Sequence, residues 1–446
     1  MFRRPRRLPP PSPAVRVGGI TVLLVSCGLT VLELLRRTVG TEGFLVGVAL
    51  SALPVPLLVA AFWWVGRVHP QPRRNLLFAF GWGSCAATLI AVLTNERVGD
   101  WLTSVDPGDS ERLTLTVVAP VVEETTKGLA VLLVFAFRRS GVRGVVDGVV
   151  IAGLTATGFA FTENILYLGK AFGEDRAEGS EALDGATAAT FLMRAVVSPF
   201  AHPLFTAMAG LGFALACTGR RRSRRVLAPA GGLLTAMTLH GAWNGASMLG
   251  PLGFLLVYVA FMVPVFGLMV WLAVRARGDQ LRTVARQLPA YAVTGWMAPA
   301  VPSALSSMAT RRVAIDLARA AGGEAAVRDA REYQEVATAL ALLRAGAEHR
   351  GAAPDFTVRE GELLRRLWRC RAIAQPTLAQ AALLTQRPVR VPPGWAARPG
   401  WVAHPGRATP GWPATGRPPA STAAASSGPG VPPGGGRPSW PVIPRW

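Results

Sequence analysis

The stretch VVAPVVEETTKGLAVLLVFAF, residues 117–137, is apolar at both ends and carries Glu123, Glu124 and Lys127 at its centre. It has the length of a membrane crossing, since about twenty mainly apolar residues span the hydrocarbon layer. Each charged side chain at mid-membrane costs about 2.5–3.5 kcal/mol on insertion scales. A helix with three such groups must turn them towards other protein groups or a wet cavity. This segment therefore sets the reading of the whole chain: an all-α, polytopic membrane protein with a polar centre.

The neighbours agree. Eight apolar stretches can be marked, at roughly 17–36, 44–66, 76–94, 113–137, 145–168, 188–217, 226–248 and 252–274. The sixth is long enough to tilt, or to kink near Pro199 and Pro203. The N-terminal arm and the loops Arg67–Arg74, Arg138–Arg143 and Arg220–Arg225 are basic. The alternate loops, around Glu96–Glu111 and Glu174–Asp184, are acidic. By the positive-inside rule both termini are cytoplasmic, with Arg36 and Arg37 on the first outer turn as the one dissent. The first span, behind Arg3-Arg4-Pro5-Arg6-Arg7 and without a small-residue cleavage site, reads as a retained signal anchor.

Composition fits the same class. Half of the 446 residues are hydrophobic and only 16% are charged; mean hydropathy is +0.33. A soluble domain carries about 25% charged residues. The net charge of +21 is mostly arginine on loops and tail, where it sets topology, so no nucleic-acid partner is expected. Four cysteines without a CxxC pair read as small buried hydrophobes rather than a disulfide framework.

The domains expected are a basic cytoplasmic arm, 1–16, an eight-helix membrane domain, 17–274, and a cytoplasmic helical region, 275–386. A Pro/Gly-rich tail, 387–446, follows and is expected to be disordered. In the helical region, Tyr333, Val336, Leu340 and Leu343 follow helical spacing, and 363–372 is a shorter amphipathic piece.

Spans two, three and eight carry no ionisable residue. Spans four to seven carry Glu123, Glu124, Lys127, Asp147, Glu163, Arg194, His202 and His240. Glu123 and Lys127, four apart, share a helix face; paired carboxylates beside an ammonium suit a general base acting on water. Glu163 lies one turn after Phe159 and next to Asn164. His202 precedes Pro203. His240 and Asn244 are again four apart. Two imidazoles and a carboxylate form a common set for a catalytic zinc with one open position. Here they would come from separate helices, for no HExxH is present. Counted from the acidic loops, Glu123, Glu163, His240 and His202 fall within the outer half of the bilayer to its midplane, with His202 deepest. Other readings stay open: a Glu–Lys pair can lock a bundle, and intramembrane His or Asn can bridge helices. Asp147 is expected to pair with Arg143 or cap its helix, Arg194 to neutralise a carboxylate or snorkel outward, Trp243 to pack, and His69 to be inert.

Glu123-Glu124-x-x-Lys127, Phe159-x-x-x-Glu163-Asn164, His202 and His240-x-x-x-Asn244, in this order on successive spans, resemble the PrsW family of bacterial intramembrane proteases. That family is related to the CAAX prenyl endopeptidases and to bacteriocin-processing proteins. The resemblance covers about residues 110–250. It implies a metal-dependent membrane endopeptidase that cuts a membrane-anchored protein, as in site-1 cleavage of an anti-sigma factor. It makes Glu123, Glu124, Lys127 and Asn244 the catalytic candidates. Glu163, His202 and His240 become the ligands of a divalent metal such as zinc. Where the prenyl endopeptidases carry His, this chain has Glu163, which either binds metal or helps polarise water; the departure argues against a prenylated substrate. Two competing functions use the same residues. A proton-coupled carrier would show an internal repeat, and none is seen. A silent scaffold would tolerate replacement of the polar groups.

Overall fold

The computed structural model describes residues 12–137, 144–179, 185–219 and 221–385. Most of the N-terminal arm, the loop Arg138–Arg143, part of the second acidic loop and the Pro/Gly-rich tail lie outside the described residues, and with them the expectation that the tail is disordered.

In chain order the helices are α1 (Pro13–Ala52), α2 (Val55–Gly66), α3 (Arg73–Gly81), α4 (Thr88–Val105), α5 (Ser110–Leu113), α6 (Ala119–Phe137), α7 (Val145–Glu178), α8 (Ala186–Phe191) and α9 (Ala201–Thr218). They continue as α10 (Arg222–Ala246), α11 (Gly250–Val257), α12 (Val263–Gln287), α13 (Pro289–Val293), α14 (Val301–Leu305), α15 (Met308–Arg350), α16 (Phe356–Arg369) and α17 (Arg371–Thr385). Wide π turns join several of them: Trp82–Ala87, Thr114–Val118, Leu192–Val197 and Tyr258–Met262. No strand occurs among the described residues.

The central element is α7. Its sequence is apolar or small on every face, with no amphipathic stripe, which is the pattern of a helix buried all round. Small residues let the neighbours come close. A Cβ on Gly148 would lie 2.2 Å from the carbonyl oxygen of Gly210 on α9, so only glycine fits that crossing. Val149 packs with Leu204, Phe205 and Leu239, joining α7, α9 and α10.

Five helical segments among the described residues are long and apolar enough to cross a membrane: Ala14–Gly66, Arg73–Val105, Val145–Glu178, Ala186–Cys217 and Ser223–Val293. The first and last double back. In α1 the chain breaks at Gly40, φ 74°, a left-handed conformation that favours glycine. Val31 and Leu35 before the break and Phe44 and Val48 after it pack around the same Ile165. At Gly250, φ 70°, the chain turns again, and Trp243 ahead of it stacks near Phe254 and Tyr258 behind it at 4.9 and 6.1 Å. The helix Ser110–Phe137, which carries the three central charges, is not among the five. The outward faces stay apolar: Leu57, Leu227 and Leu252 are exposed, as lipid contact requires. The dissenting Arg36 and Arg37 are both held by Glu33, at 2.9 and 2.7 Å.

From 275 to 385 the described residues are mostly helical. The boundary itself carries no break, because α12 continues through Arg275 to Gln287. Beyond it, α15 folds back on itself at Gly322 and Gly323. Its two arms meet where Gln334 donates to the Arg311 carbonyl at 3.0 Å. Arg311 is buried. Its guanidinium donates to the carbonyls of Leu305 (2.7 Å) and Val68 (3.1 Å) and to the Thr338 hydroxyl (2.9 Å). The Val68 bond ties this helical region to the loop between α2 and α3. From that loop Gln71 donates to Asp147 at 2.6 Å, and His69 stands 4.0 Å from the same carboxylate. Arg143, the partner expected for Asp147, lies outside the described residues.

Candidate active site

Four elements bring their polar groups to one place. Helix α6 is fixed in rotation by Trp82, which donates to the Thr126 carbonyl at 2.9 Å. This holds Glu123, Glu124 and Lys127 on the buried side, towards α7, α9 and α10. Helix α10 lies directly on the π turn Thr114–Val118, for a Cβ on Gly241 would be 2.4 Å from the Thr116 carbonyl oxygen. The neighbouring His240 is thereby set against α6. His202 stands in the first turn of α9, just after the break at Ser198-Pro199. The kink expected near Pro199 and Pro203 thus falls immediately before this histidine.

Lys127 is the hub. Its side chain is wholly buried, and its ammonium reaches Glu123 Oε2 at 3.2 Å, Glu124 Oε1 at 2.9 Å and His202 Nδ1 at 3.3 Å. The Phe159 ring lies 3.9 Å from the ammonium. Three N–H donors thus meet three acceptors. Because an ammonium only donates, His202 Nδ1 accepts, and its ring proton sits on Nε2. That atom faces Glu163 Oε2 at 2.9 Å, which receives it. His240 Nδ1 is 3.0 Å from Glu124 Oε1. A carboxylate takes a proton there, so Nδ1 carries it and Nε2 presents a lone pair, 3.8 Å from Glu123 Oε2.

Glu124 is saturated. Besides Lys127 and His240 it accepts from the Thr206 hydroxyl at 2.8 Å. Glu123 is held less tightly; its other oxygen takes only a long bond of 3.5 Å from Asn95. A cavity of 540 Å³ opens in front, with Glu123, Glu163, Arg194, His202 and Asn244 in its wall. Glu124, Lys127 and His240 stand behind that wall.

One donor atom each from Glu123, His202 and His240 lies within 4.8 Å of the others, a spacing that suits a single cation. The grouping thus has Glu123 where Glu163 was expected. Glu163 is engaged by His202 and by Arg194, at 2.6 Å. Asn244 does not join the cluster; it donates to the Leu115 carbonyl at 2.9 Å and so pins α10 to the π turn.

Sequence reasoning missed Thr206 and Asn95. Thr206 is four residues after His202 and shares its helix face, a signal that was readable. Asn95 is neutral and stands just past the third apolar stretch, next to the acidic loop, so nothing flagged it. Arg194 is resolved as a partner of a carboxylate and not as a snorkelling residue. Trp243 packs, as expected, and also lines the cavity.

All seven expected site residues fall inside one match. The sequence model of the PrsW family intramembrane metalloproteases covers residues 71–269. Searches of curated proteins and of solved structures returned no match. With its buried glutamates, lysine and paired histidines on successive apolar helices, the segment 71–269 of this chain is similar to the PrsW family of intramembrane metalloproteases.

Proposed function

We propose that the protein is an intramembrane endopeptidase that hydrolyses a peptide bond of a membrane-anchored protein in a site-1-like cut. A membrane-anchored anti-sigma factor is the substrate class that the family brings with it. The observation that carries this reading is the group Glu123, His202 and His240, of which Glu123 and His202 line a cavity among apolar helices and His240 stands just behind its wall.

The helix breaks at Gly40 and Gly250 and the charged helix Ser110–Phe137 support eight crossings. The alternation of basic and acidic loops supports cytoplasmic termini and a site reached from the outer half of the bilayer.

The donor set fits a divalent cation such as zinc. Three carboxylates (Glu123, Glu124, Glu163) face two fixed positive charges (Lys127, Arg194), which leaves one negative charge over in a buried place. Buried charge is tolerated when compensated; a cation held by Glu123 Oε2 and the two imidazoles would compensate it, taking up the lone pairs of Glu123 and His202 that face Lys127 in this structure. Bound there, a divalent cation supplies Lewis acidity, easing loss of a proton from water and polarising a carbonyl.

The chain's own groups do the rest. Glu123 Oε1, held only by the long Asn95 bond, takes a proton from the attacking water. That water adds to the scissile carbonyl, and the proton passes to the departing amine as the C–N bond breaks. Lys127 offsets the charge of the two glutamates. Glu124 fixes the tautomer and direction of the His240 ring, as carboxylates do for liganding histidines.

The test is cleavage of a single-span reporter by protein purified in detergent. Glu123→Ala and His240→Ala should each abolish it without loss of fold, and a strong chelator should inhibit the wild type. Retained cleavage in both variants would remove the assignment.

A further inference from the structure

The segment from Leu192 to His202 is not regular helix. A π turn, Leu192–Val197, ends at Ser198, whose N–H and hydroxyl both return to the Met193 carbonyl at 3.0 and 2.7 Å. Pro199 follows, and α9 begins at Ala201. Such wide turns weaken the helical ladder and recur at functional sites. His202 therefore sits at the free start of a helix, next to a joint.

The joint is clasped from outside by one oxygen atom. Glu163 Oε2, on α7, receives Arg194 from the near side of the break at 2.6 Å and His202 Nε2 from the far side at 2.9 Å. Arg194 has a second anchor on α7, donating from Nε to Asn164 Oδ1 at 2.7 Å. Its guanidinium also lies 3.8 Å from the centre of the Tyr167 ring. All three contacts lie within two turns of α7, so the guanidinium plane has little freedom. A planar fork with several donors does this; an ammonium cannot.

We infer that Arg194 is a positioning residue for His202: it fixes the Glu163 carboxylate so that Oε2 holds the imidazole proton and turns Nδ1 towards the Glu123 side. This rests on the peptidase reading, since it gives His202 a task to be positioned for. The glutamate comes with its own arginine and acts on the reaction through the second imidazole.

A double-mutant cycle on the full-length protein tests it, with kcat and KM read separately on the reporter. Arg194→Gln should lower kcat by about 10–100-fold, the usual cost of losing a partner of a liganding residue, with KM little changed. Arg194→Lys should recover part of that loss. In an E163Q background, R194Q should cost less than about twofold more, because the route to His202 is already cut. A second readout does not depend on activity. Diethyl pyrocarbonate should label His202 several-fold faster in R194Q than in wild type, with His349 as the internal reference. Equal labelling in the two proteins, or an R194Q penalty of the same size with and without Glu163, overturns the inference. A wild type that fails to cut the reporter breaks the peptidase reading instead, and the labelling comparison still decides the role of Arg194.

Discussion

Among the described residues Lys127 and Arg311 are buried with their positive charge, and they are accommodated in opposite ways. Lys127, in the membrane half, is surrounded by Glu123, Glu124 and a histidine nitrogen. Arg311, in the region beyond α12, has no acid near its guanidinium; two carbonyls and a hydroxyl satisfy it. With no opposing charge, burial alone pulls Arg311 down from 12.5 to about 10. A buried ion is costly unless compensated, so each arrangement must return something. Arg311 returns connection: one side chain joins α14, both arms of α15 and the loop after α2. Lys127 returns a cluster of like charges that could not otherwise share one buried place. The first is a rivet, and the second stands behind the wall of a cavity.

That contrast can be broken by experiment. The largest effect should fall on Glu123: Glu123→Gln should lower reporter kcat by at least about 10³-fold, with melting temperature little altered. If Glu123→Gln instead unfolds the protein and leaves the surviving fraction active, the cluster is a lock and resembles Arg311 after all. Next comes Arg311→Met, which orphans three buried acceptors and should cost about 2–4 kcal/mol. Limited proteolysis within 275–385 should rise, while cleavage at a permissive temperature stays within about twofold. Arg311→Lys should not rescue it, since one ammonium cannot serve acceptors spread as a fork serves them.

Thr206→Val comes third. It removes one of the three bonds to Glu124 and should lower kcat about tenfold, the equivalent of about 1.4 kcal/mol. The smallest effect is expected at Glu335, on the outer arm of α15, where burial pushes the carboxyl above its usual range. A carboxyl raised in the folded state adds stability below its unfolded value and loses it as pH rises through the folded value. Glu335→Gln should therefore stabilise the protein slightly at pH 7 and not at pH 4. Arg311 gives no such slope near neutrality. The unfolded chain binds the extra proton only between about pH 10 and 12.5, so its contribution is flat below that window. Thermal melts of both variants at several pH values separate the two.

The membrane half was largely legible because hydrocarbon is a strict solvent. Charges such as Glu123 and Lys127 inside apolar runs must have partners, and four such helices in a row point to one shared centre. Spacing could not tell which carboxylate joins the histidines. Glu123 and Glu163 both fall in the outer half by residue count, and only the joint at Ser198-Pro199 decides that His202 reaches both. Neutral polar residues stayed hidden: Thr206 costs little in an apolar run, and Asn95 stands at the end of one, so neither raises an alarm. Arg311 was hidden for the opposite reason, being one arginine among many in a region where charge is ordinary. The boundary at Arg275 marked a change of composition, and the backbone runs through it, because nothing next to Arg275 stops a helix: α12 has its proline in the first turn, at Pro264, and no glycine between Gly267 and Gly278.

That continuity has a mechanical consequence. From Val263 to Gln287, α12 is 25 residues without a joint, a strut of about 37 Å at 1.5 Å per residue. Its upper part packs through Met269 against the helices that carry His202 and His240; its lower end is bonded through Gln287 to Glu348 at 2.6 Å. A regular helix bends little over such a length. A pull on the α15 bundle is therefore delivered into the bilayer half as displacement, with no slack linker to absorb it.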